Sequence, residues 1–227
     1  MSSEEEEEML FELQRKIASR VLLEDHYSED VVAGVDQAFV ARANSKLRVN
    51  SELVVSCAVA FDSSLHVLGK SHSVHEARLP YIPGLLCFRE GPAALGALKR
   101  LDPKPTLLFV NRCGINHPRG AGLASCIGVE LGVPVIGLSK NVLCGSWDPP
   151  RKVGEASPLS YKEKHIGYVF LSRKGCKPIV VAPGHMISVS SSIRLARKYL
   201  RGHKFPEPCR VARLFAREAK REMVRRN

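Results

Sequence analysis

Long hydrophobic runs are missing from this 227-residue chain. None approaches the roughly 20 residues that a bilayer span requires, so no membrane partner is expected. A basic leader is missing too: the opening MSSEEEEEML is acidic, which argues against secretory or mitochondrial export and for a cytoplasmic protein. The seven cysteines, Cys57, Cys87, Cys113, Cys126, Cys144, Cys176 and Cys209, are odd in number and form no CxxC pair. That pattern excludes a disulfide framework and points to reduced thiols. There is no internal repeat and no linker long enough to split the chain, so one domain over residues 1–227 is expected. Gly120-Ala121-Gly122 followed by Ser125 is not GxGxxG, which leaves a dinucleotide fold without support.

What is present is a sizeable apolar fraction, 44%, and a formal charge of +11. The charge is unevenly placed. Glu4 to Glu8 open the chain, whereas Arg194 to Arg226 is dense in Lys and Arg. A basic surface of this kind suits phosphate backbones, and such contacts weaken as salt rises.

The stretch from Leu107 to Lys140 organises the rest. Leu107 to Val110 is a short apolar run of the kind buried on both faces of a sheet. Asn111, Arg112, Asn116, His117 and Arg119 crowd the turn that follows. A helix reads from Arg119 to Leu131, closed by Gly132, and a second strand from Val133 to Leu138. In such units the side chains at the carboxyl ends of the strands meet where ligands bind. Asn111 and His117 should therefore lie beside a site.

Elsewhere, Glu4 to Leu23 reads as an amphipathic helix with Leu10, Leu13, Ile17 and Val21 on its stripe. Val31 to Val40, Leu53 to Phe61 and His66 to Val74 read as a strand meander. Alternation of helix and strand after it makes a mixed α/β sheet flanked by helices the expected fold. Pro80 and Pro83 hold Tyr81 and Ile82 in a stiff turn before a helix carrying Glu90. Cys144 to Ser160 reads as a loop, and Ile166 to Ser172 with Lys177 to Ala182 as a hairpin. His185 falls in a tight turn before a helix that ends near Gly202; Pro206 and Pro208 then break the chain ahead of a final basic helix, Val211 to Arg225.

By residue type alone, Asp36 inside a strand, Glu90 in a helix and the amide oxygen of Asn111 could gather around Mg²⁺, which takes hard oxygen ligands. Such an ion activates water and offsets charge developing on a phosphate. Cys113, His117 and Cys126 offer softer ligands, although their spacing matches no familiar zinc pattern.

Six segments appear in one order: Val32 to Asp36 (VAGVD), Pro80 to Glu90 (PYIPGLLCFRE), Gly114 to Ser125 (GINHPRGAGLAS), Val135 to Gly145 (VIGLSKNVLCG), Pro183 to Ser188 (PGHMIS) and Phe205 to Arg210 (FPEPCR). Together they resemble endonuclease V, the nuclease that acts at inosine, or deaminated adenine, in nucleic acid. The resemblance implies a ribonuclease H-like fold and a role in DNA repair; a monomer is the expected state. The resemblance also implies Mg²⁺ dependence, with Mn²⁺ as a substitute, and hydrolysis of the second phosphodiester 3′ to inosine in DNA, with RNA left open. Residue by residue, Asp36, Glu90 and the position of Asn111 correspond to the family's metal ligands. Tyr81, within Pro80-Tyr81-Ile82-Pro83, corresponds to its strand-separating wedge, a role that suits an aromatic on a rigid turn. His117 and Lys140 correspond to positions near the scissile phosphate. Gly84, Gly114, Gly122 and Gly184 correspond to positions where backbone approaches the flipped base or tightens turns, and His185 follows them into the substrate-binding set.

Two departures stand out. Where the family reads Val-Asp-Gly-His-Gly, this chain reads Val110-Asn111-Arg112-Cys113-Gly114, so the third carboxylate is an amide. Near the C-terminus, where the family usually carries an acidic residue, stands Arg213. Both changes should weaken Mg²⁺ binding, and Arg112, a planar donor fork, becomes a candidate phosphate contact. The sequence thus supports an Mg²⁺-dependent endonuclease, or an inosine-binding protein of the same fold with impaired cleavage.

Overall fold

The structure, a computed structural model, describes residues 3–44 and 49–226. Its centre is an eight-stranded sheet in the order β3-β2-β1-β4-β5-β8-β7-β6. The first three strands, β1 (Val32–Asn44), β2 (Val49–Phe61) and β3 (Val67–Glu76), form the expected antiparallel meander. The two that follow, β4 (Leu107–Val110) and β5 (Val135–Ser139), run parallel to β1 and to each other. Completing the sheet, β6 (Ala156–Tyr161), β7 (Lys164–Phe170) and β8 (Ile179–His185) return antiparallel, so the sheet is mixed.

All four residues of β4 are buried, as its apolar run requires, and they alternate between two layers. Leu107 and Phe109 join a core with Ile136, Val181, Ile193 and Tyr199, under helix α4 (Val189–Lys198) and the start of α5 (Glu207–Arg226). Leu108 and Val110 join the opposite core with Ala94, Leu98, Leu123 and Ile127, under α2 (Leu86–Arg100) and α3 (Leu123–Leu131). The same alternation carries past the strand end, since the Asn111 N–H still donates to the Val35 carbonyl at 3.3 Å. Asn111 therefore emerges on the α5 side and Arg112 on the α2 side, one residue apart.

The sequence reading misplaces some boundaries. Helix α1 (Ser3–Ala18) ends before Leu23, and α3 begins at Leu123 rather than Arg119, because residues 119–122 belong to the turn. Residues 156–161, expected in a loop, form β6; Pro158 is tolerated there because β6 is the outer strand of the sheet. Likewise, α5 begins at Glu207, with Pro208 in its first turn, where a missing N–H leaves no bond unmade. Among the described residues no helix is long and apolar enough to cross a membrane.

Candidate active site

Asp36, inside β1, meets Asn111 and Arg112 just past the carboxyl end of β4, and Glu90 reaches them from the first turns of α2. Asp36 and Glu90 are each 2% exposed. Two such carboxylates require compensation, and most of it comes from one side chain. Arg112 donates from Nε to Glu90 Oε2 at 2.7 Å, and its Nη1 lies 4.0 Å from Asp36 Oδ1. The same Nη1 donates to the Asn111 carbonyl at 2.7 Å. On the far side of Asp36, the Asn111 side-chain amide donates to Oδ2 at 3.0 Å and the Gln37 N–H to Oδ1 at 2.8 Å. Burial nevertheless pushes the Asp36 carboxyl above its usual range, against the opposing pull of Arg112, Asn111, Gln37 and Arg213. Burial also draws on Arg112 in the opposite sense, but Glu90 and Asp36 outweigh it and hold the guanidinium above its ordinary pKa.

The residues as arranged do not fit a divalent ion. The position between Asp36 and Glu90 that a shared cation would take holds the Arg112 guanidinium, and Asn111 turns a donor, not an oxygen, towards Asp36. Among the described residues no group of three His, Cys, Asp or Glu side chains converges as a metal site. That also removes the zinc reading. Cys126 lies with Cys87 along a recess between α2 and α3 that neither Cys113 nor His117 lines.

Beyond Asp36 the surroundings are cationic. Lys140 is exposed just past the end of β5, where burial and the charges of Arg213, Arg112 and Lys204 depress its pKa and Asp36 partly restores it.

The stiff turn stands on the other side. Tyr81 is 68% exposed, a value that leaves its ring free to meet a partner, and Ile82 is half-buried. Beneath Tyr81 is a pocket whose walls include Gln14, Pro83, Gly84, Cys87, His117 and Gly122. Gly84 has φ +86°, and a Cβ there would come within 2.6 Å of Arg119 Nη2, so the position requires glycine. The Gly84 carbonyl accepts from Arg119 Nη2 at 2.9 Å and from Gln14 Nε2 at 3.1 Å. His117 is 3% exposed, and its Nδ1 accepts from the Arg119 N–H at 3.2 Å. Burial and the neighbouring Arg119 push its pKa down to about 4, opposed by a hydrogen bond to the Gly84 backbone, so the ring is neutral at pH 7 with its proton on Nε2.

The other expected glycines are held by close packing, Gly122 while also walling the pocket. Gly114 and Gly122 let backbone meet backbone, since a Cβ at either would fall 2.1 Å from the Pro183 carbonyl oxygen or 2.3 Å from that of Cys113. Gly184 is packed against Ala124 and the Val135 carbonyl oxygen, each 3.1 Å from where its Cβ would stand. His185 does not line the pocket. Its Nδ1 accepts from the Leu22 N–H at 3.2 Å, which ties down the segment after α1.

Gln14 was not anticipated. It is fully buried, donates to the Ala121 carbonyl at 2.5 Å and accepts from Arg119 Nε at 2.6 Å, while Arg119 stacks 4.0 Å over the Phe11 ring. Helix α1 thereby clamps the Tyr81 turn to the 113–122 loop. The sequence signal was a glutamine on the apolar stripe, one turn from both Leu10 and Ile17. Gln14→Leu keeps the volume but orphans these groups, and urea unfolding should register a loss of about 1–3 kcal/mol. Stability within about 0.5 kcal/mol of wild type, the ordinary range for an inconsequential surface change, would show the clamp is idle.

The Endonuclease V family model matches residues 15–214. The chain belongs to the endonuclease V family. Endonuclease V of Archaeoglobus fulgidus is 39% identical over 221 residues, 96% of this chain and 95% of that one. The crystal structure of endonuclease V from Streptomyces avermitilis is 32% identical with a TM-score of 0.85, covering 96% of this chain and 94% of that one. With that neighbour, the mixed sheet flanked by helices is a ribonuclease H-like endonuclease V fold, and the chain is an endonuclease V-type nuclease. A third structure, of Ciona intestinalis endonuclease V, is 21% identical with a TM-score of 0.78 and covers 96% of this chain and 99% of that one. It holds a 24mer DNA containing an inosine followed by a ribo-adenosine.

Proposed function

We propose that this chain recognises inosine in nucleic acid, and that it cleaves the second phosphodiester on the 3′ side far more slowly than a chain with three carboxylates would. The recognition half is supported by the exposed Tyr81 on its clamped turn above a pocket of glycine backbone and a neutral, buried His117. A base taken out of its stack can lie against such a turn and be read by hydrogen bonds in the pocket. Inosine-containing DNA in the Ciona intestinalis relative supports the choice of lesion.

The observation that carries the reduced hydrolysis is Arg112 seated between Asp36 and Glu90. In the family's reaction Mg²⁺, or Mn²⁺ in its place, would supply an activated water and charge for the phosphate. In this chain Asp36 and Glu90 are already engaged by a guanidinium, and Asn111 cannot contribute a third negative charge. Arg112 and Lys140 remain able to face a phosphate, but neither generates a nucleophile at neutral pH. The protein works in DNA repair through this recognition, as a monomer in the cytoplasm.

Labelled strands with and without inosine test both halves. Selective binding should persist in chelator, and nicking with Mg²⁺ or Mn²⁺ should be slow and vanish in Asp36→Ala. Asn111→Asp combined with Arg112→Gly, which frees both carboxylates and adds a third, should raise the nicking rate by roughly tenfold or more. A wild-type rate unaffected by that pair would sink the impairment, and equal binding of both strands would sink the recognition.

A further inference from the structure

On its α5 side the carboxylate centre adjoins, through Asn111, a cavity whose walls include His203, Lys204, Phe205, Arg210 and Arg213. We propose that this cavity is a phosphate subsite, with Arg213 and Lys204 as donors and Lys140 at its rim. In the same proposal Arg112 is the centre's resident cation, so that a nucleic-acid phosphate is held beside Asp36 without a divalent ion. The inference rests on the nucleic-acid reading above, and its test separates the two.

Packing puts Arg213 where it is. The first turn of α5 lies directly on β1: a Cβ at Gly34 would fall 2.1 Å from the Pro208 carbonyl oxygen. Gly34 and Asp36 are two residues apart on one strand and so share a face. Continuing α5 from that contact carries Arg213 past Asn111, and its charge is felt by both Asp36 and Lys140.

Pairing separates the cations that are spoken for from those that are not. Arg112 is engaged by Glu90, and Arg210 by both oxygens of Glu207 at 2.7 and 2.6 Å. Among the described residues, the ion pairs that reach this region stop there, and no carboxylate lies within 4.0 Å of the Lys140, Lys204 or Arg213 nitrogens. Three cations converging with no carboxylate in contact, and only the charge of Asp36 at longer range, repel one another, and a phosphate would relieve that repulsion. Asn111 completes the arrangement. A carboxylate at that position would repel an entering phosphate, whereas the amide, whose donor is engaged by Asp36, does not. Within the centre, Arg112, Lys140, Lys204 and Arg213 outnumber Asp36 and Glu90, so the net charge favours an anion.

The test is fluorescence binding of the full chain, in chelator, to two single-stranded oligonucleotides differing only in one inosine or adenine, across a salt series. Lys204→Ser with Arg213→Ser should weaken binding of both strands about tenfold at low salt. It should also flatten the plot of log affinity against log salt by about 0.7 for every phosphate that the variant no longer neutralises. Arg217→Ser with Lys220→Ser removes the same charge from an exposed part of α5 and should flatten it less. Equal effects of the two pairs, or no effect of the first, overturn the subsite, and binding by wild type only when Mg²⁺ is added overturns the resident cation. Loss of the salt term together with equal affinity for both strands leaves the subsite standing and removes the inosine reading instead.

Discussion

Arg112→Ala is expected to destabilise the protein by about 3 kcal/mol and to make its stability respond to divalent metal. The first effect follows from what the side chain holds. Removing one partner of a buried ion pair costs about 3–5 kcal/mol, because the charge left behind is uncompensated. Here two carboxylates, each 2% exposed, lose the same cation, while the 23% exposure of the Arg112 side chain places the cost near the lower end. Deleting the guanidinium also empties the space between Asp36 and Glu90. An ion entering that space binds only the folded chain, and at a hundred times its Kd it returns about 2.7 kcal/mol. Urea unfolding with chelator and then with Mn²⁺ should therefore show two separated midpoints for the variant and one shared midpoint for wild type. Asn111→Asp combined with Arg112→Gly should show the widest separation, since it supplies a third carboxylate. A wild-type midpoint that rises with Mn²⁺ as much as the variant's would mean that Arg112 does not stand where the metal goes.

The sequence marks Arg112 as a phosphate contact, and why it does not reveal the seat of that side chain between Asp36 and Glu90 is a matter of direction. LLFV at Leu107 to Val110 announced a strand buried on both sides, and the glycine after Leu131 closed α3 as expected. Asp36 in an apolar strand and Glu90 in a helix were recognisable as carboxylates needing a partner, and they do face a common point. The sequence cannot say that a side chain two residues past a strand end turns back between them. That depends on β1 and β4 keeping their pairing as far as Asn111, which sends consecutive side chains to opposite faces of the sheet. Gln14 was hidden for a related reason: its partners Gly84, Arg119 and Ala121 lie 70 to 107 residues away. Residues 156–161 were lost to composition, since Ser157, Pro158 and Ser160 look like a turn until an outer position in the sheet accepts them.

The turn at residues 80–83 yields the opposite kind of prediction, a large effect on binding with almost none on folding. Tyr81 buries little of itself, so Tyr81→Ala takes away little packing, and its urea midpoint should stay close to wild type. Its position is nevertheless shared by two recesses. One side of Tyr81 overlooks the pocket of Gly84, His117 and Gly122; the other borders a groove lined by Phe39, Glu52, Arg89, Glu90 and Arg112. That groove wall is rigid, because Arg89 pairs with Glu52, donates to the Leu79 carbonyl at 2.5 Å and lies 5.8 Å from the Phe39 ring centroid. An aromatic ring at this junction is placed to stack on a base while the next phosphates run towards the carboxylate centre. Stacking of one base on an aromatic side chain is worth about 1–3 kcal/mol, so Tyr81→Ala should weaken binding of the inosine strand on the order of tenfold. Tyr81→Phe should retain most of that affinity, because the ring face and not the hydroxyl meets the base. The inosine-to-adenine affinity ratio should fall in Tyr81→Ala as well, since an unstacked base loses its support on the turn. Unchanged affinity in Tyr81→Ala, with an unchanged midpoint, would show that nucleic acid passes elsewhere over the basic surface and that the turn merely closes the pocket.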